Sequence, residues 1–255
     1  MIFMLPIERR NEILQKLMLD GRVVVSELAE RYGVTEETIR RDLDRLEAEG
    51  YATKTYGGAV RSENTATDLP FTVRKQTNVG GKKYIAEQIG SLIQDGDSLL
   101  LDSSTTALFT VKSIFSKRNL TIITNSVEIL LDLPQNHDWT IISTGGNYRS
   151  EAMAFYGSAA EKLVSKYHVD LAILSCKGLD MEKGMTDTRE HFAELKKSFF
   201  RSARRVVLAV DHTKFDKVSF VSIGDLYDVD TVVTDVEPSE EWKRHFTERN
   251  IELYY

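Results

Sequence analysis

Residues 23–50, VVVSELAERYGVTEETIRRDLDRLEAEG, constrain this chain more than any other stretch. Their apolar residues recur at helical spacing. Val25, Leu28, Ala29 and Tyr32 fall at i, i+3, i+4 and i+7, so one face of a first short helix is apolar. Ile39, Leu43 and Leu46 mark one face of a second. Between them stands Gly33, where a left-handed residue ends a helix at no steric cost. Ser26 is placed to cap the first helix and Thr35 the second. The polar face of the second helix carries Glu36, Glu37, Arg40, Arg41, Asp44 and Arg45. Two short helices joined by a tight turn cross at a sharp angle, and adjacent arginines on the second suit a major groove.

The flanks extend this pattern. Ile13, Leu14 and Leu17 predict a third helix over roughly residues 7–19. Residues 51–60, YATKTYGGAV, read as a short β-ribbon turning at Gly57-Gly58. Three helices and a hairpin make a winged helix-turn-helix, whose wing would offer Lys54 and Tyr56 to a phosphate backbone. Residues 7–61 resemble the DNA-binding domain of the DeoR family of bacterial transcriptional regulators. The resemblance rests on SELAERYGVTEETIRRDLDRLEAEG and TYGGAV. Thr-Ile-Arg-Arg-Asp-Leu at 38–43 together with the Gly-Gly wing is far more specific than a generic helix-turn-helix signal. The expected DNA-facing residues are Ser26, Thr35, Glu37, Thr38, Arg40, Arg41, Arg45, Lys54 and Tyr56. For Glu36 and Glu37, acids in a first helical turn also suit the helix dipole, with a cytosine contact as the second reading. Arg45 either touches phosphate or pairs with Asp42 or Asp44.

Charge restricts how such a domain can hold DNA. The net formal charge is −6, and residues 1–62 hold ten Lys and Arg against eleven Asp and Glu. The electrostatic footprint must therefore be local, with Arg40, Arg41, Arg45, Lys54 and Arg61 gathered on one side. Weak binding by one such domain implies a homodimer or homotetramer on double-stranded operator DNA.

The remaining composition excludes several classes. Apolar runs are strand-sized, so no membrane span is expected. The start, MIFMLPIERR, lacks the apolar core of a signal peptide. A single Cys excludes an intramolecular disulfide and fits the cytoplasm. His137, His168, His191, His212 and His245 show no metal spacing, so no metal and no cofactor is expected. Cys176 and Trp139 read as packing residues.

Residues 61–70, RSENTATDLP, are polar and aperiodic. The expected domains are a winged helix-turn-helix at 1–62, a linker at 63–74 and a second domain at 75–255. In the second domain, strand-like runs at 98–101, 121–124, 139–143, 171–175, 206–210, 220–223 and 231–234 alternate with helical segments. The helical segments lie near 85–93, 106–115, 126–132, 158–166, 190–203 and 239–249. Such alternation predicts a Rossmann-like, mainly parallel α/β sheet covered on both faces.

Open parallel sheets bind ligands beyond the carboxyl ends of their strands. The loops there are polar and rich in hydroxyls or glycine. They hold Asp102-Ser103-Ser104-Thr105-Thr106, Asn125, Gly145-Gly146, Lys177, Asp180, Glu190 and Asp211-His212-Thr213-Lys214. Free N–H groups at a helix start, with hydroxyls beside them, form an anion cradle. Capping the next helix uses one hydroxyl, which leaves the others for a ligand. Lys214 would add positive charge, and Asp102 and Asp180 would accept from sugar hydroxyls. A small phosphorylated sugar or polyol fits this set.

Residues 75–235 resemble the effector-binding domain of DeoR-type regulators, itself similar to ribose-5-phosphate isomerase and the glucosamine-6-phosphate deaminases. The family's Asp-Ser-Gly-Thr-Thr loop matches Asp102–Thr106, with Ser104 in the glycine position. Its Asp-x-Ser-Lys-Phe element matches Asp211-His212-Thr213-Lys214-Phe215, which implies a phosphate-binding role for Lys214. The resemblance implies a repressor of a carbohydrate-utilisation operon, released from its operator by a phosphorylated sugar, and no enzyme. The alternative is a sugar-phosphate isomerase-like enzyme with an attached DNA-binding domain, using carboxylates such as Asp180, Glu190 and Glu194.

Overall fold

The computed structural model describes residues 4–62, 68–133 and 138–255. Residues 63–67, the start of the expected linker, and His137 lie outside them. The chain divides into two compact units, Met1–Thr77 and Asn78–Tyr255.

The first unit runs α1 (Pro6–Asp20), β1 (Arg22–Val24), α2 (Val25–Tyr32), α3 (Glu36–Ala48), β2 (Ala52–Thr55), β3 (Gly58–Arg61) and α4 (Phe71–Gln76). The apolar stripes meet in one core, with Ile13, Leu14, Leu17, Leu28, Ile39, Leu43 and Leu46 all buried. Gly33 ends α2 at φ 63°, and Thr35 caps α3 by accepting from Thr38 N at 3.3 Å. Ser26 does not cap. The N-cap of α2 is Val24, and Ser26 lies inside the helix. The reason is tertiary: β1 pairs antiparallel with β3, and Val25 N donates to Gly57 O at 2.8 Å. The wing turn thus satisfies a helix-start N–H before any side-chain cap is needed. The wing is a three-stranded sheet in the order β1-β3-β2. Residues 71–74, expected as linker, instead begin α4, whose Val73 packs into this core.

The second unit opens with α5 (Val79–Leu92), β4 (Ser98–Leu101), α6 (Thr105–Ser113), β5 (Thr121–Thr124), α7 (Val127–Asp132) and β6 (Thr140–Ser143). It continues through β7 (Asn147–Arg149), β8 (Ala154–Tyr156), α8 (Ser158–Val164), β9 (Val169–Leu174), β10 (Gly178–Asp180) and β11 (Gly184–Asp187). It closes with α9 (Glu190–Ser202), β12 (Ala203–Ala209), β13 (Val221–Gly224), β14 (Thr231–Val233), α10 (Glu240–Glu248) and β15 (Glu252–Tyr254). Seven strands form one sheet in the order β15-β14-β12-β9-β4-β5-β6, and every neighbouring pair is parallel. Its central strands carry apolar residues on both faces, as a doubly covered sheet requires. Leu99, Leu100, Leu101, Ala172, Ile173, Leu174, Val207 and Leu208 are all fully buried.

The run expected at 220–223 does not join this sheet. It forms β13 and pairs antiparallel with β11, in a separate sheet of order β10-β11-β13. Strand order decides where a ligand crevice opens. From β4 the chain moves outward through β5 and β6, then returns to place β9 on the other side of β4. The connections leaving β4 and β9 therefore run in opposite directions along the sheet, which makes this the topological switch point of an open α/β sheet.

Among the described residues, no helix is long and apolar enough to cross a membrane.

Candidate functional site

In the first unit, the polar face of α3 and the wing lie together. Arg40 Nη2 donates to Glu36 Oε2 at 2.6 Å, and Arg41 Nε donates to Glu37 Oε1 at 3.3 Å. Both pairs follow from i, i+4 spacing, which stacks side chains on one helix face. Lys54 reaches across from β2 to pair with Asp44, while its N–H donates to Glu47 Oε1 at 2.8 Å. The wing is thereby tied to α3. Tyr56 stands fully exposed at the wing tip. Glu37, Arg40, Arg41 and Arg45 are exposed, as is Thr35, whose Oγ1 lies 3.0 Å from Thr38 Oγ1. Ser26 is exposed on α2.

Arg45 pairs with neither expected partner among the described residues. Asp42 points inward and is held by Arg9 at 2.6 Å and Arg10 at 3.6 Å, while Asp44 is taken by Lys54. The Arg9–Asp42 pair joins α1 to α3 with both residues buried. Spacing could not reveal it, because Asp42 sits among charged residues that face solvent.

In the second unit, the polar loops after β4, β9 and β12 converge. Asp102 is 2% exposed. Its Oδ1 accepts from Ser104 N at 2.9 Å, and its Oδ2 accepts from Ser175 N at 3.0 Å. One carboxylate thus shapes the turn into α6 and crosses the switch point to the end of β9. Ser104 caps α6 by accepting from Ala107 N at 3.1 Å. Its φ of −74° is open to any residue, so serine in the glycine position carries no strain. Thr105 and Thr106 begin the helix and are buried. Asn125 follows β5 and donates to Phe155 O at 2.9 Å and to Ser103 Oγ at 3.5 Å. Its buried Oδ1 has no hydrogen-bond partner, an acceptor that a ligand donor would satisfy.

A lysine that the motifs did not mark completes the centre. Lys196, on α9, donates to Asp187 Oδ2 and to Ser175 O, each at 2.7 Å, and lies 3.5 Å from Asp102 Oδ2. Burial opposes its charge, but Asp187 and Asp102 prevail and hold its pKa above the ordinary lysine value. A sequence signal existed: Lys196 falls on the apolar stripe of Phe192, Leu195 and Phe199, where a lysine needs a buried partner.

Cys176 is buried here too, and burial pushes its thiol up to about 12, so it stays protonated and inert at neutral pH. Lys196, Lys214, Asp187 and Asp211 all act on that thiol electrostatically, which places them around it. Lys214 Nζ lies 4.0 Å from Asp211 Oδ2 and 3.4 Å from Thr213 Oγ1, and its side chain is partly exposed. Burial pushes the Asp211 carboxyl up, but Lys214, Thr213 and Lys82 outweigh it and hold the pKa below the ordinary aspartate value.

Other expected residues occupy different positions. Gly145 and Gly146 have φ of 59° and 105°, and a Cβ on Gly146 would meet Tyr156 O at 2.6 Å. Positive φ accounts for glycine at both positions, and close backbone approach adds to it at Gly146. Lys177 is half-buried, with its N–H on Thr186 O. Asp180 Oδ1 accepts from Glu182 N and Lys183 N, both at 2.9 Å, and so holds the β10–β11 turn. Glu190 is exposed at the first residue of α9, and Glu194 pairs with Lys197 at 2.7 Å. Among the described residues, no group of three or more His, Cys, Asp or Glu could hold a metal ion.

Comparison with known proteins agrees with both halves. A model of the DeoR-like helix-turn-helix domain matches residues 9–65, and one of the DeoR C terminal sensor domain matches residues 77–236. The chain belongs to the DeoR family. It is thus a DNA-binding transcriptional regulator with a sensor domain. Among the relatives of this DeoR-family chain is an uncharacterized HTH-type transcriptional regulator, YulB, of Bacillus subtilis. It is 38% identical over 232 residues, 91% of this chain and 90% of the relative. The glycerol-3-phosphate regulon repressor of Escherichia coli is 30% identical over 246 residues, 96% of this chain and 97% of the relative. A solved ribose 5-phosphate isomerase from Methanocaldococcus jannaschii is 15% identical, with a TM-score of 0.38. That match covers 52% of this chain and about half of the isomerase (53%).

Proposed function

We propose that this DeoR-family regulator represses a carbohydrate-utilisation operon in the cytoplasm and leaves its operator when a phosphorylated sugar or polyol binds the sensor domain. Arg40 and Arg41 of α3 contact the major groove, flanked by Ser26, Thr35, Glu37, Thr38 and Arg45. Lys54 and Tyr56 of the wing contact the backbone. The DNA-binding unit carries no net positive charge, too little to bind tightly alone, so the regulator acts as a homodimer or homotetramer on repeated, inverted half-sites. The glycerol-3-phosphate repressor among its relatives supports a small phosphorylated polyol as the ligand class.

One observation carries the ligand reading: the Asp102 carboxylate bridges the α6 start and Ser175 at the switch point of the sheet. There the Ser103–Thr106 turn, the unpartnered Asn125 Oδ1 and the cation of Lys214 form a phosphate and hydroxyl site. Induction requires the ligand to bind the DNA-incompetent arrangement more tightly than the competent one.

The experiment is a thermal-shift screen of pentose, hexose and triose phosphates, followed by operator release. A phosphate that binds only the folded state stabilises it, by about 2.7 kcal/mol at a hundredfold excess over Kd. Lys214→Ala is expected to abolish that shift and to leave the protein bound to DNA at ligand concentrations that release the unmodified chain. Equal release by both proteins would overturn the assignment. Turnover of the stabilising compound would favour the isomerase alternative.

A further inference from the structure

The charge pairing on α3 has a consequence for how DNA sequences are told apart. Each arginine of the Arg40-Arg41 pair is joined to the glutamate four residues earlier, and each pair is largely exposed. A carboxylate beside a guanidinium cancels most of its attraction for a phosphate, the interaction that dominates binding to arbitrary sequence. It does not cancel the directional donors. A guanidinium has five N–H groups, and reading guanine takes two of them on O6 and N7. Glu37 engages Arg41 through Nε, which leaves both Nη groups for a base edge. Glu36 engages Arg40 through one N–H of Nη2, which leaves the second Nη2 N–H to form a fork with Nε or with Nη1.

We propose that Glu36 and Glu37 are specificity-determining residues: they neutralise Arg40 and Arg41 toward phosphate while orienting them toward bases, and so suppress binding to DNA of arbitrary sequence. The proposal rests on the reading of α3 as the major-groove helix. It gives these acids a role beyond favouring the helix dipole, and one that differs from direct cytosine contact. Asp44, paired with Lys54 on the wing, provides a contrast. A lysine is a point charge without a fork. Neutralising Asp44 should raise binding to every sequence alike.

The test uses two duplexes of equal length, one selected from a random library by the unmodified full-length protein and one with that sequence scrambled. Affinities are measured across a salt series. Glu36→Gln/Glu37→Gln is expected to bind the scrambled duplex more tightly, by about twofold per carboxylate, the size of an exposed i, i+4 ion pair. Affinity for the selected duplex should rise less, so the preference narrows, and the difference should fade at high salt. Arg40→Lys/Arg41→Lys provides a second variant that keeps charge and loses the fork. It should retain scrambled-duplex binding and lose affinity for the selected one.

Unchanged scrambled-duplex affinity in the glutamine variant, with only a lower unfolding midpoint, would overturn the proposal and leave the acids as helix-start stabilisers. An equal rise on both duplexes would overturn it too, as would loss of preference confined to one cytosine. If Arg40→Ala/Arg41→Ala binds both duplexes like the unmodified protein, the reading of α3 itself fails, and this inference fails with it.

Discussion

Lys196 Nζ donates to Asp187 Oδ2 at 2.7 Å, with both side chains almost wholly buried. The same ammonium lies 3.5 Å from Asp102 Oδ2, so one buried cation balances two buried carboxylates. The arrangement costs desolvation on all three groups, and its stability depends on every partner being present.

Removing that cation is therefore expected to be severe. Lys196→Met keeps much of the side chain's volume but strands Asp102 and Asp187. The expected loss is about 3–5 kcal/mol, the usual result of breaking a buried ion pair from one side. Asp187→Asn should cost less, because Lys196 still faces Asp102. Urea unfolding of the full chain measures both. A Lys196→Met loss below that of Asp187→Asn would remove Lys196 from the centre of the charge balance.

Asp211 predicts a pH dependence with a definite sign. Lys214, Thr213 and Lys82 outweigh burial and hold its folded pKa below the ordinary aspartate value. A depressed carboxylate contributes stability that is complete above its unfolded pKa and is lost as pH falls through the folded value. Asp211→Asn should therefore destabilise the protein at neutral pH and by progressively less in strong acid. Unfolding midpoints across an acid series check this. Parallel curves for the two proteins would contradict it.

Gly58 packs the wing closely against β1, the strand that leads into α2. A Cβ at this position would lie 1.9 Å from Val23 O, a backbone atom that cannot swing away. Gly58→Ala must push β1 and β3 apart, at about 1–3 kcal/mol for an overpacked site. Because Val25 N rests on Gly57 O, the start of α2 shifts as well. The expected outcome is a lower unfolding midpoint together with weaker operator binding. Gly57→Ala, where a Cβ meets nothing within 4 Å, serves as the control. Equal effects of the two substitutions would show that close approach is not what requires glycine at residue 58.

Much of the first unit was legible because its signals are local. The apolar stripes of α1, α2 and α3, the left-handed Gly33 and the Thr35 cap each depend on residues within two turns of one another. Ser26 misled because the competing partner, Gly57 O, arrives from a hairpin more than thirty residues away. Residues 71–74 of the helix at Phe71–Gln76 fall in the expected linker because six residues without a side-chain cap carry too little periodicity to stand out. Its Val73 becomes informative only when seen against the core it fills.

The sensor unit divides in the same way. Alternating strand and helix patterns determined a parallel α/β sheet, and the residues after its strands predicted polar loops at its carboxyl edge. Strand order did not follow from those patterns. Nor did the removal of β13 to an antiparallel sheet, nor the pairing of three-residue strands such as β7 and β8, whose signals are too short to read alone. The charge centre was hidden for the same reason. Asp187 and Lys196 are only nine residues apart, but Asp102 follows β4, and only the pairing of β4 with β9 brings it within reach of that pair. Periodicity and capping act over a few residues and are written in the chain itself. Which buried charge meets which is decided by how the strands stack, because a side chain's electrostatic partners are its neighbours in space.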